Sequence, residues 1–302
     1  MSKGLETQAV NKITLQGKLL DVQFGSGKLP NGGQPYERAT ATIRVKQTYG
    51  GKEEVSEIPV GFFATEFTKK GGPNPAWKTI QDLKTFKTMQ NDGAEADTVR
   101  VTGATLAENS FPTRTGNVVS GWQIRGSFIN KANATDAASF NTEIFILSMD
   151  DELDREGDPT GRMVIQGGIV QYGGGFDIVN FIVEDPDTKN YISRHWEVHK
   201  TLNVMGRIRV TSTEITPVAT TNSGWGEAIP EGPTTRLVRE LIITTGDDEP
   251  REDEFGYDPG EMNKAFRAHK AKIEQMQIDA QNRANKAAVK VAPQKEDLGW
   301  EY

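Results

Sequence analysis

Two stretches of this chain repeat one another at a fixed spacing, and a duplicated unit constrains a fold more tightly than any composition does. Residues 101–122 read VTGATLAENSFPTRTGNVVSGW and residues 204–225 read VMGRIRVTSTEITPVATTNSGW, so Val-x-Gly and Ser-Gly-Trp recur across the same 22-residue span. Two further pairs fall in the same order. ITLQGKLL at 13–20 aligns with MVIQGGIV at 163–170, Gln16-Gly17 on Gln166-Gly167, and TEIFILSMDDE at 142–152 aligns with RELIITTGDDE at 239–249. Three collinear matches in β-rich sequence point to a duplicated all-β unit.

Apolar runs with a period of two, punctuated by turn residues, place the strands of the first copy near 13–24, 37–49, 54–64, 98–107 and 119–130. The Gly- and Pro-rich GSGKLPNGGQP at 25–35 reads as a long flexible loop between the first two. Between the third and fourth strands, Trp77, Ile80, Leu83 and Phe86 recur at helical spacing behind Pro75, which suits a helix start. The order β-β-β-α-β-β is that of a five-stranded Greek-key OB barrel. The second copy carries strands near 163–172, 175–184, 190–198, 202–210 and 236–245 and leaves little room for a helix, so it reads as a trimmed barrel.

The expected architecture is therefore all-β, tandem OB-fold barrels with a C-terminal helix and an acidic disordered tail. An N-terminal domain spans 1–149, an acidic linker DDELDREGDPTG lies at 150–161, a second barrel spans 162–250, and 251–302 form a mobile C-terminal part. Within it, 261–288 predicts an amphipathic helix bearing Met262, Phe266, Ile273, Met276 and Ile278.

Composition removes whole classes of chemistry. With no cysteine there is no disulfide, no thiol nucleophile and no Cys-ligated zinc, which is compatible with a reducing cytosol. No run approaches the roughly 18 apolar residues of a membrane-spanning helix, and MSKGLETQAVNK lacks the apolar core of a signal peptide, so the expectation is a cytoplasmic protein without a membrane partner. His195 and His199 lie in SRHWEVH, which reads as a strand and would hold them about 13 Å apart, too far to share a metal. The GSGK at 25–28 lacks the full phosphate-loop pattern, and the acid pairs Asp150-Asp151 and Asp247-Asp248 lack a third fixed ligand. The expectation is no enzyme, no cofactor and no metal.

Charge is graded along the chain. Residues 1–130 carry 16 basic and 12 acidic side chains, 131–215 carry 8 and 14, and 216–302 carry 11 and 16, so only the N-terminal part is suited to a polyanion.

NKITLQGKLLDVQF, EIPVGFFATEF and VRVTGATLAENSFPTRTGNVVSGWQIRGSFI resemble the first, third and last two strands of the single-stranded DNA-binding proteins, in the divergent form carried by bacteriophages. The resemblance implies sequence-tolerant binding of single-stranded DNA in phage DNA replication, recombination and repair, with residues 103–122 as the hairpin that clasps the strand. It also implies a C-terminal hook for replication or recombination proteins, here Glu296, Asp297, Leu298, Trp300, Glu301 and Tyr302. Self-association is left open.

A flexible single strand offers phosphates and base faces, so its site combines cations with aromatic rings. The candidates are Lys28, Tyr36, Arg38, Arg44, Lys46, Phe62, Phe63, Lys69, Lys70, Phe111, Arg114 and Trp122. In ATIRVKQTY, Ile43 and Val45 share one strand face and Arg44 and Lys46 the other, which marks the latter two as leading phosphate contacts. Consecutive Phe62 and Phe63 must face opposite ways, one into the core and one outward. The acidic second copy reads as mainly structural. Two other functions fit the same composition: a phage structural or assembly β-protein, and a DNA-mimic inhibitor of a host defence protein.

Overall fold

Eleven strands and four helices make up the described part of the chain, which in this computed structural model comprises residues 2–30, 33–113, 115–154, 156–215, 234–252 and 254–291. The first unit contains β1 (Asn11–Lys28), β2 (Pro35–Tyr49), β3 (Lys52–Thr65), α1 (Pro75–Leu83), the short α2 (Met89–Asp92), β4 (Thr98–Pro112), β5 (Val118–Arg125) and β6 (Phe128–Lys131). The second contains β7 (Ala137–Leu153), β8 (Pro159–Val170), β9 (Phe176–Val183), α3 (Pro186–His195), β10 (Thr201–Ile215) and β11 (Thr234–Gly246), and α4 (Pro259–Val291) follows.

Strand pairing closes each unit in the same way. In the first, β1 pairs with β2 and with β4, β2 with β3, β4 with β5, and β3 meets β5 in parallel. In the second, β7 pairs with β8 and β10, β8 with β9, β10 with β11, and β9 meets β11 in parallel. These are tandem OB barrels, and antiparallel pairing of β1 with β7 joins them into one continuous sheet.

Alternation builds the interiors. Leu15, Leu19, Ile43, Ile58, Val60, Leu106 and Ile124 fill the first barrel, and Ile144, Ile146, Ile165, Phe181, Leu202, Ile208 and Leu241 fill the second, all essentially inaccessible. α1 starts on an Asn74 cap with Pro75 behind it and turns Ile80 and Leu83 inward.

The duplicated unit is real, but its phase differs from the sequence alignment. ITLQGKLL lies in β1 whereas MVIQGGIV lies in β8, the counterpart of β2, and RELIITTGDDE lies largely in β11 whereas TEIFILSMDDE lies in β7, the counterpart of β1. Among the described residues only the Val-x-Gly pair falls on equivalent strands, β4 and β10, and Ser223-Gly224-Trp225, the partner of Ser120-Gly121-Trp122, lies outside them. The second unit therefore opens at β7, after the connection that follows β6. The acidic stretch 150–161 is not a linker, because Asp150 and Asp151 pair with Val164 and Met163 and the acids straddle a β7–β8 hairpin.

Nor is the second barrel trimmed. The segment expected as a strand over 190–198 holds the second half of α3, a helix capped by Asp185, whose carboxylate accepts from the Thr188 backbone, with Pro186 in the first turn. Ile192 and Trp196, four apart, are buried together, which a strand would also have permitted only on one face. His195 stacks on Tyr191 at 4.3 Å between centroids, and His199 takes a left-handed backbone beyond the helix. The proposed loop at 25–35 is shorter than expected, since Gly25 pairs with Arg38 and Lys28 with Pro35.

The barrels are locked by ion pairs as well as by the sheet. Arg207, largely buried, binds Glu54 of β3 at 2.8 Å and Glu184, and lies 4.3 Å from the Tyr49 ring centroid. The N-terminal arm is tied down at buried Glu143, which accepts from Lys3 at 2.6 Å and from Arg251.

α4 is docked rather than mobile. Met262 is fully buried, His269 Nε2 lies 2.8 Å from Glu108 Oε2, and Gln277 accepts from the Val118 N–H at 2.7 Å while donating to the Gly116 carbonyl at 2.8 Å. Ile278, expected on the apolar face, is exposed, and Ala280 is buried instead. The acidic tail, including Glu296, Asp297, Leu298, Trp300, Glu301 and Tyr302, lies outside the described residues.

Candidate nucleic-acid interface

The outer face of β2 and β3 carries the candidate site because the pleat turns alternate residues away from the core. Ala39, Ala41, Ile43 and Val45 are buried, and Arg38, Arg44 and Lys46, on the alternate positions, are exposed. On β3, Phe62 is 3% exposed and Phe63 58%, so the two adjacent rings divide between core and surface. Phe63 pairs across the ladder with Arg38, and its ring lies 5.2 Å from that of Tyr36 at 33°.

Two glycines make room for this arrangement. Gly25 and Gly27 of β1 pair with Arg38 and Tyr36. A Cβ at Gly25 would stand 2.6 Å from Arg38 Nε, and one at Gly27 would stand 2.6 Å from the Tyr36 hydroxyl oxygen. Tyr36 and Arg38 therefore lie down over bare backbone, and Phe63 is left standing beside them. Lys28 is exposed at the end of β1, and Lys69 and Lys70 are exposed in the loop after β3, which starts where Glu66 N–H donates to the Pro35 carbonyl. Among the described residues, Lys28, Arg38, Lys69 and Lys70 form no ion pair with a carboxylate.

The neighbouring acid is directed elsewhere. Burial alone would raise the Glu37 carboxyl, but hydrogen bonds from Lys84 and Gln81 outweigh it and hold the group below its ordinary value. Glu37 is thus an anion already satisfied on the α1 side, where Lys84 also stands 5.9 Å from the Phe24 ring centroid.

The structure assembles Lys28, Tyr36, Arg38 and Phe63, with the loop bearing Lys69 and Lys70 next to them, and separates the rest. Arg44 and Lys46 lie six and eight residues further along β2, roughly 20–27 Å away at about 3.4 Å per residue. There Lys46 pairs with Glu53 at 2.7 Å and its backbone N–H donates to Asp136. Phe62 is core. Trp122 is 7% exposed and lies beneath the Arg239 guanidinium at 4.8 Å, so its ring offers no open face on that side. Phe111 is 47% exposed on the β4–β5 hairpin, whose tip is held by α4, and Arg114 lies outside the described residues. Sequence reasoning missed Phe24 and Phe67, 45% and 42% exposed; Phe67 in the loop after β3 was the more legible, as an apolar ring among turn residues.

For other chemistry the geometry supplies little. Asp247 accepts from the Asn203 N–H and Asp151 pairs with Lys189, and among the described residues no group of three or more His, Asp or Glu side chains is arranged to hold a metal ion. No helix among them is long and apolar enough to cross a membrane.

Comparison with known proteins agrees with the barrels. The wild-type single-stranded DNA-binding protein of Thermus aquaticus aligns with a TM-score of 0.52 and 11% identity, over 82% of this chain and 96% of that one. A deletion mutant of the same Thermus aquaticus protein aligns with a TM-score of 0.48 and 15% identity, over 82% and 97%. No curated protein matches the chain. At the level of sequence family, residues 9–279 match a single description across both barrels and most of α4: the chain belongs to the YorF family.

Proposed function

We propose that this protein binds single-stranded DNA without sequence preference, through the outer face of its first barrel. The observation that carries this reading is the Tyr36–Phe63 ring pair beside Arg38, laid over Gly25 and Gly27 and flanked by unpaired lysines. Rings give every base a stacking surface and cations meet the phosphates, so the site reads a strand without reading its sequence. The fold shared with the Thermus aquaticus protein supports the same reading.

Within this reading the protein serves phage DNA replication, recombination or repair, and residues 296–302 form an acidic hook for partner proteins. That tail also competes with DNA for the basic face, since two polyanions exclude one another there.

Fluorescence anisotropy of labelled oligo-dT, with a matched duplex as control and at two salt concentrations, tests the proposal. The single strand should bind more tightly than the duplex and more weakly as salt rises. Phe63→Ala and Arg38→Ala should each weaken binding by about 10-fold, in keeping with the loss of one stacked base or one phosphate contact. A chain ending at residue 295 should bind equally or more tightly, and weaker binding would count against the tail's role. Absence of binding to either strand at low salt sinks the reading and favours an assembly role, to be sought as self-association.

A further inference from the structure

The last third of the chain is acidic as a whole, yet α4 is basic, with seven Lys or Arg against three Asp or Glu over 259–291. The docked face carries Met262, His269, Gln277 and Ala280; Lys272 and Arg283, each three residues from His269 or Ala280, are exposed along its border, and Lys264, Arg267 and Lys286 are exposed further round the helix. Among the described residues none of these five forms an ion pair. Unpaired cations held along one rigid helix are an arrangement that favours an extended polyanion.

The helix also shapes a path. A cleft of about 240 Å³ contains Arg125, Gln123 and Asn109 of the first barrel together with Lys272 and Met276 of α4. A second, of about 350 Å³, contains Lys272 and Met276 again, with Pro112, Asp279 and Arg283. The two clefts share residues and so run on from one another. The first begins where the candidate face ends, since Arg125 pairs with Gly61, two residues along β3 from Phe63 and on the same side. The acids at this junction are engaged: Glu108 meets His269, and Asp177 accepts from the Glu108 N–H at 3.0 Å.

We propose that α4 extends the single-strand site: DNA leaving the Phe63 face passes Arg125 and continues along α4, its phosphates meeting Lys272 and Arg283. Eleven residues of helix separate these cations, roughly 16 Å at about 1.5 Å per residue, so they contact different phosphates of one strand. This rests on the single-stranded DNA reading of the first barrel, and it gives the C-terminal helix a part in DNA binding that net charge conceals.

The test uses the full chain and two labelled oligo-dT lengths, about 10 and about 30 nucleotides, since one OB barrel occupies about 4–16. Lys272→Ala with Arg283→Ala should leave the short oligomer's affinity unchanged. For the long one it should lower affinity by about 10-fold and reduce the slope of log K against log salt by about 1.4, the value for two single-strand phosphate contacts. Asp279→Asn, in the same cleft, should tighten the long oligomer. All three substitutions lie at exposed positions, and an unchanged thermal melt verifies folding. An unaltered long-oligomer affinity and slope, while Phe63→Ala still weakens binding, overturns the α4 track and leaves the first-barrel site standing. No binding of either length by the unsubstituted chain overturns both.

Discussion

Asp177 shows how one residue's surroundings set a measurable property. Burial pushes its carboxyl above the ordinary range, against the backbone N–H of Glu108 and the charges of Arg125 and His269, which favour the anion. A raised carboxyl binds its proton more tightly in the folded chain than in the unfolded one, so its contribution is favourable below the unfolded value of about 3.9. It is lost as pH rises from there through the folded value. Asp177→Asn removes this loss and keeps an oxygen to accept from Glu108. The variant should melt at a higher temperature than the parent at pH 7, with the difference vanishing below about pH 3.9 in a pH series of thermal melts. A lower melting temperature at pH 7 would mean that the anion is needed by Arg125 and His269. At this scale the sequence was legible wherever alternation governs. Ile43 and Val45 are inside, Arg44 and Lys46 outside, and Phe62 and Phe63 divided, because a strand leaves a side chain only two directions. It was illegible where a ring's burial depends on a neighbour remote in sequence, as Trp122 depends on Arg239.

Elements were read well where caps and periodicity agreed, as at α1, and badly where a short amphipathic helix mimicked a strand. In α3 the start signals were present in Asp185 and Pro186, but Ile192, Trp196 and Val198 fall on even spacings that also satisfy a period of two. For α4 the length and apolar residues were visible, and its docking was not, because Gln277 and His269 carry no sequence mark of their partners. That docking is testable by itself. Gln277→Ala removes the acceptor for the Val118 N–H and the donor to Gly116, worth about 1 kcal/mol each. The Val118 amide should then exchange with deuterium faster than in the parent chain while amides in β1 stay protected. Unchanged exchange at Val118 would show that other contacts hold the hairpin to the helix.

The molecule as a whole is two closed barrels joined through β1 and β7, locked by Arg207 and Glu54 and covered along one side by α4. Two of the three matches that suggested a duplication join non-equivalent strands, whereas the chain's own residues determined that it would be all-β, with a helix after the third strand of the first barrel and outward cations on β2. These follow from interactions between residues near in sequence, or from a period, and a single chain displays both. Tertiary structure alone decided the phase of the duplication, since β1 and β7 are equivalent by pairing and not by likeness of side chains. It alone gathered Tyr36, Arg38 and Phe63 over Gly25 and Gly27 and left Arg44 and Lys46 at the far end of the same strand. Register and closure are set by hydrogen bonds between strands far apart in the chain, and those partners exist only once the sheet has formed.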